Sequence, residues 1–152
     1  MAIEIAPHLT LGEARCRCHL KRKKIEAYIG KNGNEFGEFC YGKFGSEPNE
    51  WDQKLLELWV KYRERLGNKP LTVNSGARCK AYNKYIYIVE YKKKPTSSQH
   101  LNLKALDIAK VSWMSIDEMA KIAAEVGFMG IGKYPNFIHV DVRPSADRWD
   151  ER

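Results

Sequence analysis

The clearest alternation of apolar and polar positions lies near the end of the chain, over residues 137–143. Three apolar residues alternate there with four others: Ile138, Val140 and Val142 stand between Phe137, His139, Asp141 and Arg143. A period of two residues is typical of a strand with one buried face. We therefore predict a strand whose apolar face joins the core and whose other face carries the functional side chains.

A second alternation, over residues 105–111, predicts another strand. It sends Asp107 to the same side as Ala105 and Ala109. Such small neighbours would leave room for an ion beside the Asp107 carboxylate. A shorter β-prone run at residues 71–74 predicts a third strand.

Helical periods and capping residues predict three helices. Apolar residues recur at spacings of three and four from position 51, and Gly67-Asn68 ends this pattern. The residues of the apolar face are Trp51, Leu55, Leu56, Trp59, Val60, Tyr62 and Leu66. Thr10 with Glu13, and Ser115 with Glu118, have the spacing of a capping box, so we predict that a short first helix and a later helix begin there.

The remaining segments are less regular. Glycines among aromatic residues over 30–45 break any helical period and predict a loop or loose hairpin. Residues 79–91 are predicted to be helical at the start, while their β-branched second half fits either a helix or a strand. Residues 92–98 predict a loop that leads to His100. Helices grouped with short strands, without a regular βαβ repeat, indicate a single domain over 1–152 with an α+β fold and a small, largely antiparallel sheet.

The formal net charge of +7 favours anionic partners, which include nucleic acid, a membrane surface and an anionic cell wall. Much of this charge lies in two short basic runs, at residues 21–24 and 92–94, for which a solvated loop is the simplest interpretation. No apolar run has the length of a membrane span, and the N-terminus lacks the pattern of a signal peptide. We expect a soluble protein that is made in the cytosol, so that any action outside the cell would need another route of release.

The four cysteines neither require a disulfide scaffold nor exclude one or two bridges. The run Cys16-Arg17-Cys18-His19, together with Cys40, could form a structural zinc site. The gap of one residue between the first two cysteines is shorter than the usual Cys-x2-Cys spacing. A buried thiol or a disulfide is therefore the favoured interpretation.

Two histidines and one aspartate are candidates for a metal site. His100 and Asp107 lie seven residues apart, and His139 lies on the polar face of the last predicted strand. Two imidazoles and one carboxylate are the ligand set of many catalytic zinc ions, which keep a further coordination position for water. Zinc held in this way polarises a carbonyl and lowers the pKa of its water towards neutrality.

Three motifs in order resemble the zinc D-alanyl-D-alanine carboxypeptidases and their phage endolysin relatives, which share a fold with the hedgehog signalling domain. They span residues 71–143. The motifs are Ser75-Gly76-x-Arg78 with Asn83; Ser98-x-His100 with Ala105 and Asp107; and Gly130-Ile131-Gly132-x-Tyr134-Pro135 followed by Phe137-Ile138-His139-Val140-Asp141.

The resemblance implies a hedgehog/DD-peptidase-like fold and a Zn²⁺ ion bound by His100, Asp107 and His139. Arg78 matches the family arginine that meets the substrate carboxylate or the developing oxyanion, and an ordinary structural salt bridge is the alternative for it. Ser98 would hydrogen-bond substrate or orient His100.

The chain departs from the family pattern at two positions. Leu103 stands where relatives usually have glycine, so we expect the loop over 101–104 to differ in path. Asn136 stands where several relatives have an acidic general base, and an amide cannot accept the proton of an attacking water. Asp141 could approach that water or orient His139. We therefore count Asn136 and Asp141 as candidate catalytic residues and expect Asn136→Asp to retain activity or raise it.

The leading hypothesis is a zinc peptidase that cuts D-amino-acid-containing peptide bonds of bacterial peptidoglycan, as a carboxypeptidase or as a lytic endopeptidase of phage origin. The alternative is a metal-binding cell-wall-binding module with weak or no turnover. Nucleic-acid binding lacks a recognised motif. We expect a peptidoglycan peptide as partner, neither nucleic acid nor a membrane, and a monomer.

Overall fold

The computed structural model describes residues 3–32, 39–92 and 98–152 and has seven strands in this part of the chain. In chain order they are β1 (Glu4–Ala6), β2 (Leu9–Thr10), β3 (Val73–Ser75), β4 (Ala105–Ala109), β5 (Gly130–Lys133), β6 (Phe137–Asp141) and β7 (Asp147–Asp150). Strands β1 and β2 form an antiparallel pair, and the other five form a sheet in the order β3-β4-β6-β5-β7. All neighbours in this sheet are antiparallel except β5 and β7, which are parallel. The predicted α+β fold with a small, largely antiparallel sheet is confirmed.

Five α-helices accompany the strands in the same ranges. They are α1 (Leu11–Ala14), α2 (Arg22–Asn32), α3 (Gln53–Arg65), α4 (Lys80–Tyr85) and α5 (Ile116–Val126). Helix α4 continues into a π-helical segment at Ile86–Glu90, and short 3₁₀ helices lie at Cys18–Lys21, Pro48–Glu50 and Gln99–Asn102. The structure thus resolves the ambiguity over residues 79–91 in favour of a helix.

Both predicted capping boxes are present. At the start of α1 the Thr10 side chain accepts from the Glu13 backbone, and the Glu13 side chain accepts from the Thr10 backbone. Ser115 and Glu118 make the same reciprocal bonds at the start of α5. These bonds satisfy backbone donors that a helix N-terminus otherwise leaves free, which is why short helices can begin there.

Helix α2 corrects the prediction of a solvated loop for the first basic run. Arg22, Lys23 and Lys24 lie in the first turn of α2 and are exposed, whereas Ile25 is fully buried. Lys, Arg, Glu and Ala are good helix formers even without an apolar period, and one inward isoleucine anchors the helix. The loop predicted over 30–45 is also wrong at residues 30–32, which belong to α2. Residues 33–38 and 93–97 lie outside the described residues, and so does most of the second basic run.

The core forms on one face of the sheet, as the alternation predicts. Leu106 and Ile108 of β4, and Ile138 and Val140 of β6, are all fully buried. They share one apolar cluster with the inward faces of α3 and α5, and the Tyr62 hydroxyl of α3 donates to the Met119 carbonyl of α5 at 3.0 Å. With one face committed to the core, the opposite face is left for polar side chains.

None of the helices within residues 3–32, 39–92 and 98–152 is both long enough and apolar enough to cross a membrane.

Candidate metal centre

Three side-chain atoms from the predicted ligands converge on one point. His100 Nε2 lies 3.1 Å from Asp107 Oδ1 and 3.2 Å from His139 Nδ1, and His139 Nδ1 lies 3.1 Å from Asp107 Oδ1. All three residues are buried. The sequence predicted this trio, and the structure brings its atoms into a nearly equilateral triangle.

The sheet and one short helix position the three side chains. Asp107 and His139 are direct partners in the antiparallel register of β4 and β6, so both project from the same face. His100 lies in the 3₁₀ helix Gln99–Asn102, where the Ser98 side chain accepts a hydrogen bond from the His100 backbone at 3.3 Å. This contact corresponds to the orienting role considered for Ser98.

Hydrogen bonds on the outer nitrogens fix both imidazoles. His100 Nδ1 donates to the Gly76 carbonyl at 2.6 Å, and His139 Nε2 donates to Asp141 Oδ2 at 2.6 Å. The inner nitrogens therefore turn their lone pairs towards each other and towards the Asp107 carboxylate. Zn–N and Zn–O bonds of about 2.0–2.2 Å would hold tetrahedral ligand atoms about 3.3–3.6 Å apart, so this donor set fits a zinc-sized ion after a small adjustment.

Local electrostatics favour a neutral His100 and an ionised Asp107, which are the protonation states that bind a cation, whereas they favour protonation of His139. Burial, and after it the Arg78 guanidinium, lowers the pKa of His100 to about 4, so its imidazole is neutral at neutral pH. Burial by itself raises the pKa of the Asp107 carboxyl, but His100, His139 and Arg78 outweigh it and hold that pKa well below its ordinary value. Burial likewise opposes charge on His139, yet its bonds to Asp107 and Asp141 raise the pKa of that imidazole.

Arg78 contacts the second oxygen of the same carboxylate. Its guanidinium donates to Asp107 Oδ2 at 2.9 Å, to Ser75 Oγ at 3.1 Å and to Asn83 Oδ1 at 3.3 Å. The structure thus shows the salt bridge that was the alternative role for Arg78. These contacts use three of the five N–H groups of an arginine, and Arg78 also lines the open cleft.

Asp141 lies behind His139 and not between the three converging atoms. Its carboxylate is fully buried and accepts from Arg143 Nε at 2.9 Å and from Arg143 Nη2 at 2.7 Å, in addition to His139. A carboxylate on the outer nitrogen of a metal-binding histidine orients the ring and raises its basicity. Of the two roles considered for Asp141, this geometry favours the orientation of His139.

Asn136 is not brought to the converging atoms. It is exposed in the turn between β5 and β6, where its backbone carbonyl accepts from Lys110, and it does not belong to the described residues that line the cleft. The structure therefore offers no contact through which the Asn136 side chain could act on a substrate at this centre.

The centre opens into a cleft of about 560 Å³ with aromatic walls. Its described lining includes residues to which the sequence assigned no role in the site: Tyr87, Tyr91, Tyr134, Asp147, Trp149 and Glu151. The Trp149 ring lies 5.1 Å from the His139 ring and donates to the Tyr134 hydroxyl at 3.0 Å. A Cβ at Gly132 would lie 2.3 Å from the Trp149 ring. This close approach explains why the second residue of the Gly-x-Gly motif is glycine. That glycine was the feature of the sequence that could have indicated a bulky side chain packed against the strand.

Comparison with known proteins assigns the family. The model of the family described as Peptidase M15 matches residues 8–141 of this chain. A search of curated proteins finds no match. The matched range contains the three converging ligands, Arg78 and Asp141, and metal dependence is typical of this family. The chain therefore belongs to the Peptidase M15 family of metallopeptidases.

Proposed function

We propose that this protein is a zinc-dependent peptidase that cleaves D-amino-acid-containing peptide bonds of bacterial peptidoglycan. The observation that carries the proposal is the triangle of His100, Asp107 and His139 atoms at the base of an open cleft, in a chain of the M15 family. Three protein ligands leave a coordination position free, which is typical of a catalytic zinc site and not of a structural one.

A zinc ion bound by these three ligands supplies a Lewis acid for the scissile carbonyl and activates water for attack. The chain's own residues prepare this chemistry. Gly76 and Asp141 hold the two imidazoles in the tautomers that bind metal, and Arg78 holds Asp107 by its second oxygen. Because these supports are buried, the ligands are preorganised before substrate arrives.

The cleft has groups suited to a short peptide. Two N–H groups of Arg78 are not used by its three contacts and can meet a carboxylate or a developing oxyanion of the substrate. Ser98 lies at the cleft beside His100 and can also contact the peptide. The net charge of +7 supports attraction to an anionic cell wall. These features fit a carboxypeptidase. They also fit an endolysin-type endopeptidase, which would be a phage enzyme released onto the cell wall.

The test is incubation of the zinc-loaded protein with purified muropeptides, followed by mass spectrometry of the products. We expect cleavage next to a D-amino acid and a loss of at least a hundredfold on replacement of a ligand in His139→Ala, because a missing ligand disrupts the metal site. Asn136→Ala is the matched control on the turn just before the same strand and should retain the activity of the unsubstituted protein. Absence of cleavage at full metal occupancy would refute the proposal.

A second candidate is a metal-stabilised module that binds the cell wall without turnover. The specific observation in its favour is that the residue at the position of the family's acidic base, Asn136, is an exposed amide outside the cleft lining. Two results together would support the binding module and not the peptidase. The protein would co-sediment with purified peptidoglycan, and muropeptides would remain intact after long incubation with it.

A further inference from the structure

A second group of metal-binding side chains lies apart from the cleft and consists of four cysteines. Cys16, Cys18, Cys40 and Cys79 each offer one Sγ atom, and the four atoms all lie within 4.8 Å of one another. Cys16, Cys18 and Cys79 are buried, and Cys40 is partly buried. No cysteine occurs among the described residues that line the cleft, so these thiols serve another purpose than contact with its substrate.

The spacing of the sulfur atoms fits a tetrahedral site. Zn–S bonds of about 2.3 Å place the four sulfurs of a tetrahedron about 3.8 Å apart. The Sγ atoms of Cys18 and Cys40 lie 3.4 Å apart, and no pair in the group exceeds 4.8 Å. All four residues are free thiols and not disulfides. The value of about 3.8 Å that a tetrahedral thiolate site requires thus lies between the 3.4 Å of this pair and the 4.8 Å limit on all pairs.

Two backbone N–H groups point at the sulfurs. Gly42 donates to Cys18 Sγ at 3.3 Å, and Cys79 donates to Cys16 Sγ at 3.3 Å. Hydrogen bonds of this kind orient and stabilise thiolate ligands around a metal. Gly42 has a φ of +83°, and a Cβ on it would lie 2.8 Å from His19 Nδ1. The turn after Cys40 therefore depends on glycine to bring this N–H group to the sulfur.

We propose that Cys16, Cys18, Cys40 and Cys79 bind a structural Zn²⁺ ion at a site separate from the cleft. Four thiolates complete a tetrahedral shell and leave no position for substrate, which distinguishes structural from catalytic zinc sites. Soft thiolates select zinc over the hard cations magnesium and calcium. The fourth ligand is Cys79, which is distant in sequence, and not the His19 considered from the sequence. Of the two favoured interpretations, a buried thiol or a disulfide, the structure shows buried thiols at Cys16, Cys18 and Cys79 and no disulfide among the four cysteines.

The ion would join three separate segments of the chain. Cys16 lies between α1 and the following 3₁₀ helix, Cys18 is the first residue of that 3₁₀ helix, and Cys40 begins the turn that contains Gly42. Cys79 is the N-cap residue of α4 and directly follows Arg78, the residue that holds Asp107. The site would therefore fix the turn that places Arg78 at the catalytic centre.

Metal analysis of the full chain, purified under reducing conditions with zinc present, tests the proposal. We expect about two zinc ions per chain, about one in Cys40→Ser and about one in His139→Ala, because each substitution removes a ligand from a different site. His19→Ala is the control, since His19 is adjacent to the cysteines but outside their group of sulfur atoms. It should keep both ions. A chain that binds about one zinc ion, keeps it in His139→Ala and loses it in Cys40→Ser would contradict the peptidase proposal and leave this one intact. A Cys40→Ser variant that keeps all of its zinc would overturn this proposal.

Cobalt substitution gives a readout that does not require a folded cysteine variant. Co²⁺ bound to thiolates produces a strong near-ultraviolet charge-transfer band, whereas Co²⁺ bound to imidazole and carboxylate does not. We expect this band in the unsubstituted protein and in His139→Ala. Absence of this band would overturn the proposal. Two disulfides, detected by mass spectrometry after the chain has been reduced and then refolded, would also overturn it. Four reactive thiols with no bound metal would overturn it as well.

Discussion

Leu103 adopts a left-handed backbone conformation, with a φ of 57°, at the C-terminus of the short helix that carries His100. This is the conformation that glycine accepts most readily, and a leucine there costs about 1–2 kcal/mol. The side chain is buried, and the Leu103 carbonyl accepts from the Asp52 backbone at 3.3 Å. Burial thus offsets the backbone strain, so the leucine follows a glycine-like path that the sequence alone did not suggest.

This balance between strain and burial predicts that Leu103→Gly is more stable than Leu103→Ala, which is the reverse of the order expected at an ordinary buried position. Leu103→Ala keeps the strain and loses the buried side chain, so the free energy of unfolding should fall by about 2–4 kcal/mol. Leu103→Gly loses the same packing but relieves the strain, so it should be about 1 kcal/mol more stable than the alanine variant. Urea unfolding of both variants measures the difference. An alanine variant that is the more stable of the two, as at an ordinary buried position, would contradict the strain argument.

At the scale of elements, strand β5 lies so close to β6 that its first residue must be glycine. A Cβ on Gly130 would lie 2.1 Å from Asp141 Oδ1, and Asp141 is held on its other sides by His139 and Arg143. The carboxylate that orients His139 therefore occupies the space that any side chain at position 130 would need. The pairing of β5 with β6 thus contributes to the metal centre although β5 provides no ligand.

Gly130→Ala should consequently lower zinc affinity at the cleft by about 10- to 100-fold, through displacement of Asp141 from His139. The same clash should reduce the free energy of unfolding by about 1–3 kcal/mol. Gly12→Ala is the matched control, because a Cβ on Gly12 meets nothing within 4 Å, and it should keep both properties. Competition with a chelator of known affinity measures zinc binding. Unchanged affinity in Gly130→Ala would show that Asp141 is not required to orient His139.

At the scale of the whole molecule, the three ligands of the cleft centre link parts of the chain that only folding brings together. His100 belongs to a short helix, while Asp107 and His139 lie on neighbouring strands of the central sheet. A metal ion that needs all three ligands binds the folded state and not the unfolded chain, so its binding free energy adds to stability.

Zinc at a hundredfold excess over its dissociation constant should therefore stabilise the protein by about 2.7 kcal/mol. For a chain of this length the corresponding rise in Tm is about 5–10 °C. Calorimetry of metal-stripped protein, with and without added zinc, measures this shift, and the part that belongs to the cleft centre should disappear in His139→Ala. A Tm that rises equally in both proteins would place the stabilising ion elsewhere, with the cysteine group as the first candidate.

The sequence by itself determined the features that depend on local physics. A period of two residues assigned the faces of β4 and β6 and so placed Asp107 and His139 on the side away from the core. Capping boxes marked the starts of α1 and α5, because the bonds that satisfy a helix N-terminus lie within three residues of each other. The order of the motifs indicated the family of the zinc D-alanyl-D-alanine carboxypeptidases, and the match of the Peptidase M15 model to residues 8–141 confirmed it.

The tertiary structure alone decided which distant side chains meet. It placed Arg78 on Asp107, Asp141 behind His139, and Trp149 at the cleft through the parallel pairing of β7 with β5. It also brought Cys79 to the three cysteines that precede it. No local period encodes these contacts, because each depends on the packing of segments that are far apart in the chain. The candidate ligands of the cleft centre could thus be recognised from sequence, whereas the contacts that orient them required the fold.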